Sequence, residues 1–202
     1  MPTTTDNHPE NNNQREAFSN CLDNFFKRFI NTLFSETGQL PITTHEADWS
    51  SLCHQGKPFL SEQMIDSIHW QPVIREDNYD LSGLEAALEI TLHQDIKLFF
   101  SHYWSEQIDT IFQQGNLTLL FVCNEDDMKR LIENQIGHAF TKIRNKQSLT
   151  FFIACTDSDY IISVENDSGQ VVLERPGYPA EKILSPNLTE FINELEYGQL
   201  TA

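Results

Sequence analysis

The chain has 202 residues and a formal net charge of −17, because 30 acidic residues outnumber 13 lysines and arginines. This length is enough to bury one substantial core and predicts a single domain. So negative a chain repels polyanions, which disfavours nucleic-acid binding through phosphate neutralisation and favours a cationic partner, although acidity can also serve solubility alone.

The first fourteen residues are polar, rich in Asn and Thr, and without hydrophobic periodicity, so a disordered tail is predicted before a domain over residues 15–202. The tail lacks the basic and apolar regions of a signal peptide, and no apolar run of membrane-spanning length follows, so a cytosolic protein is expected. From Arg15 to Gly38 an apolar stripe predicts a long amphipathic helix; its members are Phe18, Leu22, Phe25, Phe29 and Leu33.

The next third of the chain gives weaker signals. Residues 41–67 show little periodicity and are predicted to form an irregular connection. The alternating residues from Ile68 to Pro72 predict a short strand, and Pro72 should end its pairing. Two helices are predicted over residues 81–92 and 95–104, the first of them capped by Ser82 or Asp80.

The second half predicts a sheet with two more helices. Strands over 108–112 and 117–123 should form a hairpin at Gly115, and three further strands are predicted over 150–155, 160–166 and 170–175. Asn124 and the three acids after it are typical of a helix start, and that helix should run to about Lys146. Its predicted apolar stripe is Met128, Leu131, Ile132, Ile136, Ala139 and Ile143. A final helix is predicted over 187–195.

The short connections between consecutive strands decide the fold class. Parallel neighbours need long crossovers, so a mainly antiparallel sheet is predicted. The expected fold is therefore a single α+β domain in which helices pack around that sheet.

The sequence contains none of the common enzyme motifs that were considered. No motif for nucleotide hydrolysis, dinucleotide binding, acyl transfer or zinc proteolysis is present, so no catalytic residue and no cofactor are predicted, and the protein is expected not to be an enzyme. The cysteines form no CxxC pair, which argues against a disulfide framework and a zinc site; they are Cys21, Cys53, Cys123 and Cys155. Cys123 and Cys155 end apolar runs and are predicted to be small buried side chains.

One enzymatic alternative stays open, a small-molecule hydrolase using Cys53, His54 or His138. Adjacent side chains point in opposite directions in most backbones, so a Cys53–His54 pair would need support from the fold. His138 is predicted to be a structural residue of its helix rather than a general base.

Acidic residues are concentrated in two segments. From Glu62 to Asp109 there are ten acids and two bases, and from Asp157 to Glu196 there are nine acids and two bases. The helix between them, residues 125–146, has four acids and five bases. So local an imbalance is harder to explain by solubility alone. If the two segments lie side by side, they form one electronegative surface that attracts loops rich in lysine and arginine.

Several segments resemble the bacterial Syd protein family in both order and spacing. They are HWQP (69–72), SGLEAALEI (82–90), NLTLLFVCNEDDMKR (116–130), IENQIGH (132–138), ISVENDSGQV (162–171) and LTEFINEL (188–195). The resemblance extends from about Phe18 to Leu195. The sequence departs from the family in the polar N-terminal tail, which is longer than expected, and in residues 41–67, which show little similarity.

The resemblance implies an α+β fold similar to the SUKH (Smi1/Knr4-like) group and a cytosolic protein that associates peripherally with the inner membrane. Syd-like proteins bind SecY, the channel subunit of the Sec translocon, through an acidic concave face against basic cytosolic loops. They are proposed to monitor whether SecYEG is properly assembled. Anionic lipid would repel this chain, so its membrane association is expected to be indirect, through the protein partner.

The expected partner-binding residues follow from the matched segments and from charge. Glu85, Glu89 and Glu133 fall inside matched segments, and the charge pattern adds Glu76, Asp77 and Asp80. An alternative from the same fold group is an immunity or inhibitor module whose acidic face neutralises a basic toxin.

Overall fold

The computed structural model describes residues 9–76 and 81–197 of the chain. In this part of the chain, helices and strands alternate in the order typical of an α+β domain. The helices are α1 (Pro9–Thr37), α2 (Ser82–Leu88), α3 (Gln94–Ser101), α4 (Glu125–Arg144) and α5 (Leu188–Glu194). The strands are β1 (Ile42–Thr44), β2 (His54–Leu60), β3 (Asp66–Trp70), β4 (Val73–Ile74), β5 (Tyr103–Trp104), β6 (Ile108–Phe112), β7 (Gly115–Leu119), β8 (Thr150–Thr156), β9 (Ile161–Glu165), β10 (Val171–Glu174), β11 (Ala180–Ser185) and β12 (Glu196–Tyr197). None of these helices is long and apolar enough to cross a membrane.

The main sheet has seven strands in the order β11-β10-β9-β8-β7-β6-β12, and each neighbouring pair is antiparallel. Two smaller sheets contain β1, β3 and β2, and the pair β4 and β5. The predicted α+β fold with a mainly antiparallel sheet is therefore confirmed. The hairpin of β6 and β7 turns at Gln113 and Gln114, with Phe112 opposite Gly115.

Helices α4 and α5 cover opposite faces of the main sheet. Phe191 of α5 packs against Phe112 with the ring centres 4.9 Å apart. On the other face, Lys142 of α4 contacts Glu174 of β10. The register places the neighbouring Leu173 on the face that it shares with Phe112. Strands β8, β9 and β10 are mostly buried, as expected of central strands that are covered on both faces, whereas β6, β7 and β11 have exposed positions.

The core on the α1 side consists largely of aromatic rings. Phe25 and Phe26 of α1 contact Phe121, and Phe121 stacks on Phe99 of α3 with centres 4.6 Å apart. The predicted stripe of α1 is buried along its whole length. The helix begins at Pro9 rather than Arg15, so residues 9–14 of the predicted tail are helical, while residues 1–8 lie outside the described part.

The prediction for residues 41–67 was wrong, because this segment contributes β1 and β2 to the three-stranded sheet around β3. Its strands are partly exposed and carry Gly56 and Pro58, and the register of β2 shifts between Gln55 and Phe59. A shift of this kind hides the alternation by which a strand is identified. The predicted strand before Pro72 is confirmed as β3.

Two predicted helices are shorter than expected. Helix α2 ends at Leu88, because Glu89 adopts a left-handed conformation with φ of 54°, and α3 ends at Ser101 before Tyr103 and Trp104 form β5. Ser82 is the first residue of α2 rather than its cap, and Leu81 takes the capping position. Asp80 lies outside the described residues.

Two side chains point the other way from their prediction. Cys155 is exposed, because a bulge between Phe152 and Ala154 shifts the alternation of β8 and turns the thiol outward. Ile143 of α4 is 45% exposed, whereas Cys123 is buried as predicted.

Candidate functional site: an acidic cleft

A cleft of about 520 Å³ lies where the C-terminal half of α1, strand β1 and the starts of β6 and α4 meet. Among the described residues, its charged lining consists of four carboxylates and one guanidinium, from Glu46, Glu106, Asp109, Asp127 and Arg130. We call this site the acidic cleft. A concave surface dominated by one sign of charge concentrates the electric field and attracts ligands of the opposite sign.

Local structure fixes three of the carboxylates. Asp127 stands in the first turn of α4, where Asn124 caps the helix and Asp127 Oδ2 accepts a hydrogen bond from the Cys123 amide at 3.1 Å. Asp109 occupies an outward position of β6 and accepts a hydrogen bond from Thr118 Oγ1 at 2.6 Å. Glu106 Oε1 lies 2.8 Å from His54 Nε2. These contacts fix the positions of the three carboxylates before any partner arrives.

The floor of the cleft is part of the hydrophobic core. Trp70 is only 3% exposed and stacks on Phe29 of α1, with the ring centres 5.7 Å apart. It is therefore a core residue that also lines the cleft. On the wall, the Arg130 guanidinium lies 4.2 Å from the centre of the Trp49 ring, a cation–π contact that fixes the one cationic group of the lining.

The two acidic segments of the sequence meet beside this cleft. Asp109 also lines a neighbouring depression together with Asp157. Asp109 ends the first acidic segment and Asp157 begins the second. Asn116 donates a hydrogen bond to Asp157 at 2.8 Å and orients its carboxylate.

Other acids of the two segments are neutralised by bases. Glu85 contacts Lys97 at 2.5 Å, and Glu181 contacts Arg175 at 2.9 Å. Glu174 is fully buried against Lys142 of α4. A charge count along the sequence therefore overstates the negative charge that a partner meets, because such pairs cancel locally.

The predicted partner-binding residues lie outside the lining of the acidic cleft wherever the structure describes them. Glu85 also accepts a hydrogen bond from the Leu92 amide at 2.8 Å, so its carboxylate holds the connection between α2 and α3. Glu89 is exposed, but it follows the last turn of α2 and does not share a helix face with Glu85. Glu133 is exposed on α4 and Glu76 is exposed beside β4, whereas Asp77 and Asp80 lie outside the described residues.

Most residues of the acidic cleft were not predicted from the sequence. Glu46 lies in the segment predicted to be irregular, and Glu106 and Asp109 were counted in an acidic segment without being singled out. Asp127 was interpreted as a helix-start residue, which the structure confirms. The available signal was the position of Asp109 in β6. Successive side chains of a strand point to opposite faces, so Asp109, between the buried residues Ile108 and Thr110, must point away from the core.

The residues of the enzymatic alternative have other roles in the structure. Burial raises the pKa of the Cys53 thiol to about 12, against the effect of its contact with Ser51. A thiol of this kind stays protonated near neutral pH and is a poor nucleophile. The side chain of His138, on α4, is 6% exposed, with Nε2 2.9 Å from Thr150 Oγ1 and 3.3 Å from Glu174 Oε1.

The buried carboxylate of Glu174 should make the protein less stable at acid pH. Burial acts to raise the Glu174 pKa, but the contacts from His138, Lys142 and Thr150 outweigh it and lower the pKa from 4.5 to about 2. The folded pKa is the lower one, so the stabilisation is complete above pH 4.5 and is lost as the pH falls toward 2. We expect the free energy of unfolding, measured in urea, to decrease less for Glu174→Gln than for the wild type as the pH falls from 4.5 to about 2. Equal decreases would contradict the assignment.

Comparison with known proteins identifies relatives over nearly the whole described chain. A family model for the Syd protein (SUKH-2) matches residues 19–197. A protein named "Protein Syd" from Pseudoalteromonas atlantica is 38% identical over 176 residues, covering 87% of this chain and 93% of its own length. The "Protein Syd" of Colwellia psychrerythraea is 38% identical over 192 residues, covering 93% of this chain and 96% of its own.

Proposed function

The chain belongs to the Syd protein family, and from that premise we propose that it binds the basic cytosolic loops of SecY, the channel subunit of the Sec translocon. On this proposal it acts as a binding protein and not as an enzyme. It works in the cytoplasm and at the cytoplasmic face of the inner membrane, which it reaches through SecY, and it monitors the assembly of SecYEG.

The acidic cleft is the observation that carries this proposal. Membrane proteins retain an excess of lysine and arginine in their cytoplasmic loops, so these loops are natural cationic ligands. Four carboxylates against one guanidinium in a single concavity offer the complementary charge. Such complementarity accelerates encounter and depends on salt, because exposed charges are screened over about 10 Å at 0.1 M ionic strength.

Charge reversal in the cleft is the direct test. We expect the double variant Glu46→Lys/Asp109→Lys to weaken binding to SecY by at least about tenfold, since two attractive charges become repulsive in a partly desolvated site. Binding is measured by crosslinking and co-sedimentation with inner-membrane vesicles that contain SecYEG, at low and at high salt. Both side chains are exposed, so the fold should be preserved, and circular dichroism checks this.

Two matched variants separate the possible surfaces. Asp167 lies in the exposed turn between β9 and β10. Asp167→Lys should leave binding unchanged apart from a small long-range electrostatic effect. Glu89→Lys/Glu133→Lys tests the acids expected from the sequence without breaking the Glu85–Lys97 pair. If this variant loses binding and Glu46→Lys/Asp109→Lys keeps it, the partner uses the surface near α2 and the acidic cleft is not the site.

A further inference from the structure

A cluster of possible metal ligands lies at the edge of the acidic cleft. Within the described residues, three side chains each place one possible ligand atom within 4.8 Å of the other two: Cys53, His54 and Glu106. Cys53 is fully buried, His54 is 8% exposed in its side chain, and Glu106 is 20% exposed and lines the cleft. The chain spacing concealed this group, because Glu106 lies 52 positions from His54.

We propose that Cys53, His54 and Glu106 bind a divalent transition-metal ion of the zinc type. Thiolate, imidazole and carboxylate together form the mixed donor set that suits Zn²⁺, whereas Mg²⁺ and Ca²⁺ prefer oxygen ligands alone. Three protein ligands leave a fourth tetrahedral position for water, and the exposed side of Glu106 provides a path to it from the cleft.

The geometry is close to what such an ion requires. Zinc bonds of about 2.0–2.3 Å at tetrahedral angles place neighbouring donor atoms roughly 3.5 Å apart. His54 Nε2 and Glu106 Oε1 lie 2.8 Å apart, so these two atoms must move slightly apart to bind the ion. The distance from Cys53 Sγ to them must shorten by about an ångström. Side-chain rotation of His54 and Glu106 can supply movements of this size, because Glu106 is partly exposed.

Metal binding requires the thiolate form of Cys53, whose Sγ lies 2.9 Å from Ser51 Oγ. Because the thiolate is the metal-binding form, the ion must displace the thiol proton, and affinity should rise with pH.

Cobalt titration tests the site. Co²⁺ occupies zinc sites and gives a thiolate-to-metal charge-transfer band in the near ultraviolet. Titration of the reduced, metal-free full chain should show this band with one equivalent bound, and Zn²⁺ should then abolish the band by displacement. Bound Zn²⁺ should also raise the melting temperature, because it binds only the folded state.

Single-residue variants assign the ligands. Cys53→Ser and His54→Gln should each lower the Co²⁺ affinity by at least about tenfold, and Cys53→Ser should also abolish the charge-transfer band. Cys155→Ser is the matched control, since this thiol is exposed on β8 of the main sheet, and it should behave as the wild type. His54→Gln keeps the buried thiol, so it provides a readout even if Cys53→Ser fails to fold. Absence of the band in the wild type, or its loss only in Cys155→Ser, would overturn the proposal.

Discussion

Replacing Lys142 with methionine should destabilise the protein by about 3–5 kcal/mol, because the variant leaves the charge of Glu174 buried without its cationic partner. Both side chains are almost completely inaccessible, and Lys142 Nζ also donates to the Tyr178 carbonyl at 2.9 Å. The ammonium therefore ties α4 to β10 and to the loop that follows it. Urea unfolding followed by circular dichroism and by tryptophan fluorescence measures the loss.

A double variant separates the effect of breaking the Lys142–Glu174 ion pair from the effect of changing the size of the side chain. Lys142→Met/Glu174→Leu removes both charges, so it should recover much of the stability that Lys142→Met loses. Lys146→Met is the matched control, since Lys146 is exposed just beyond α4 and should change stability by less than about 0.5 kcal/mol. A Lys142→Met protein as stable as the wild type would show that the buried pair contributes nothing.

Helix α4 shows where sequence analysis succeeded and where it failed. Its start at Asn124 and its length were predictable, because a capping amide, acids in the first turn and bases in the last turn are local signals. The buried residues Met128, Leu131, Gln135, Ala139 and Lys142 keep the helical period. Ile143 was chosen for the core because it is apolar, although the period points to Lys142. The partner that allows a lysine to be buried, Glu174, lies on a strand 32 positions away.

The strands divide in the same way. The β6–β7 hairpin and β8 to β10 were predictable, because their residues alternate or are apolar throughout and their connections are short. Strand β11 was missed because it is mostly exposed and its pairing with β10 shifts register twice. Strand β12 is two residues long and pairs with β6, far away in the chain, so no local pattern indicates it.

The candidate site was predictable in its charge but not in its residues. The two acidic segments are visible in the sequence, and Asp109 and Asp157 do meet in the fold. However, which acids are paired depends on distant bases, as Glu85 with Lys97 and Glu174 with Lys142 show. The shape of the cleft depends on the three-stranded sheet, of which β3 was predicted but β1 and β2 were missed. A charge pattern therefore indicates the class of partner, whereas tertiary packing selects the residues that meet it.

Trp70→Ala is expected to destabilise the protein by about 3–5 kcal/mol, because it leaves a cavity where the indole packs in the core. Trp70 lies on the central strand of the three-stranded sheet and stacks on Phe29. Trp70→Phe keeps an aromatic ring there and should lose less than half as much. Leu52→Ala, at a side chain that is 73% exposed, should change the unfolding free energy by less than about 0.5 kcal/mol. Urea unfolding compares the three variants.

The same substitution tests whether the cleft depends on the core beneath it. Trp70 and Phe29 line the floor of the acidic cleft, so losing the indole should let β1 and α1 shift and spread the four carboxylates. Binding of a basic partner should then weaken at a temperature where Trp70→Ala is still folded, although every acid remains. Trp70→Phe should retain most of the binding. Unchanged binding in Trp70→Ala would show that charge alone, without the geometry of the cleft, is sufficient for recognition.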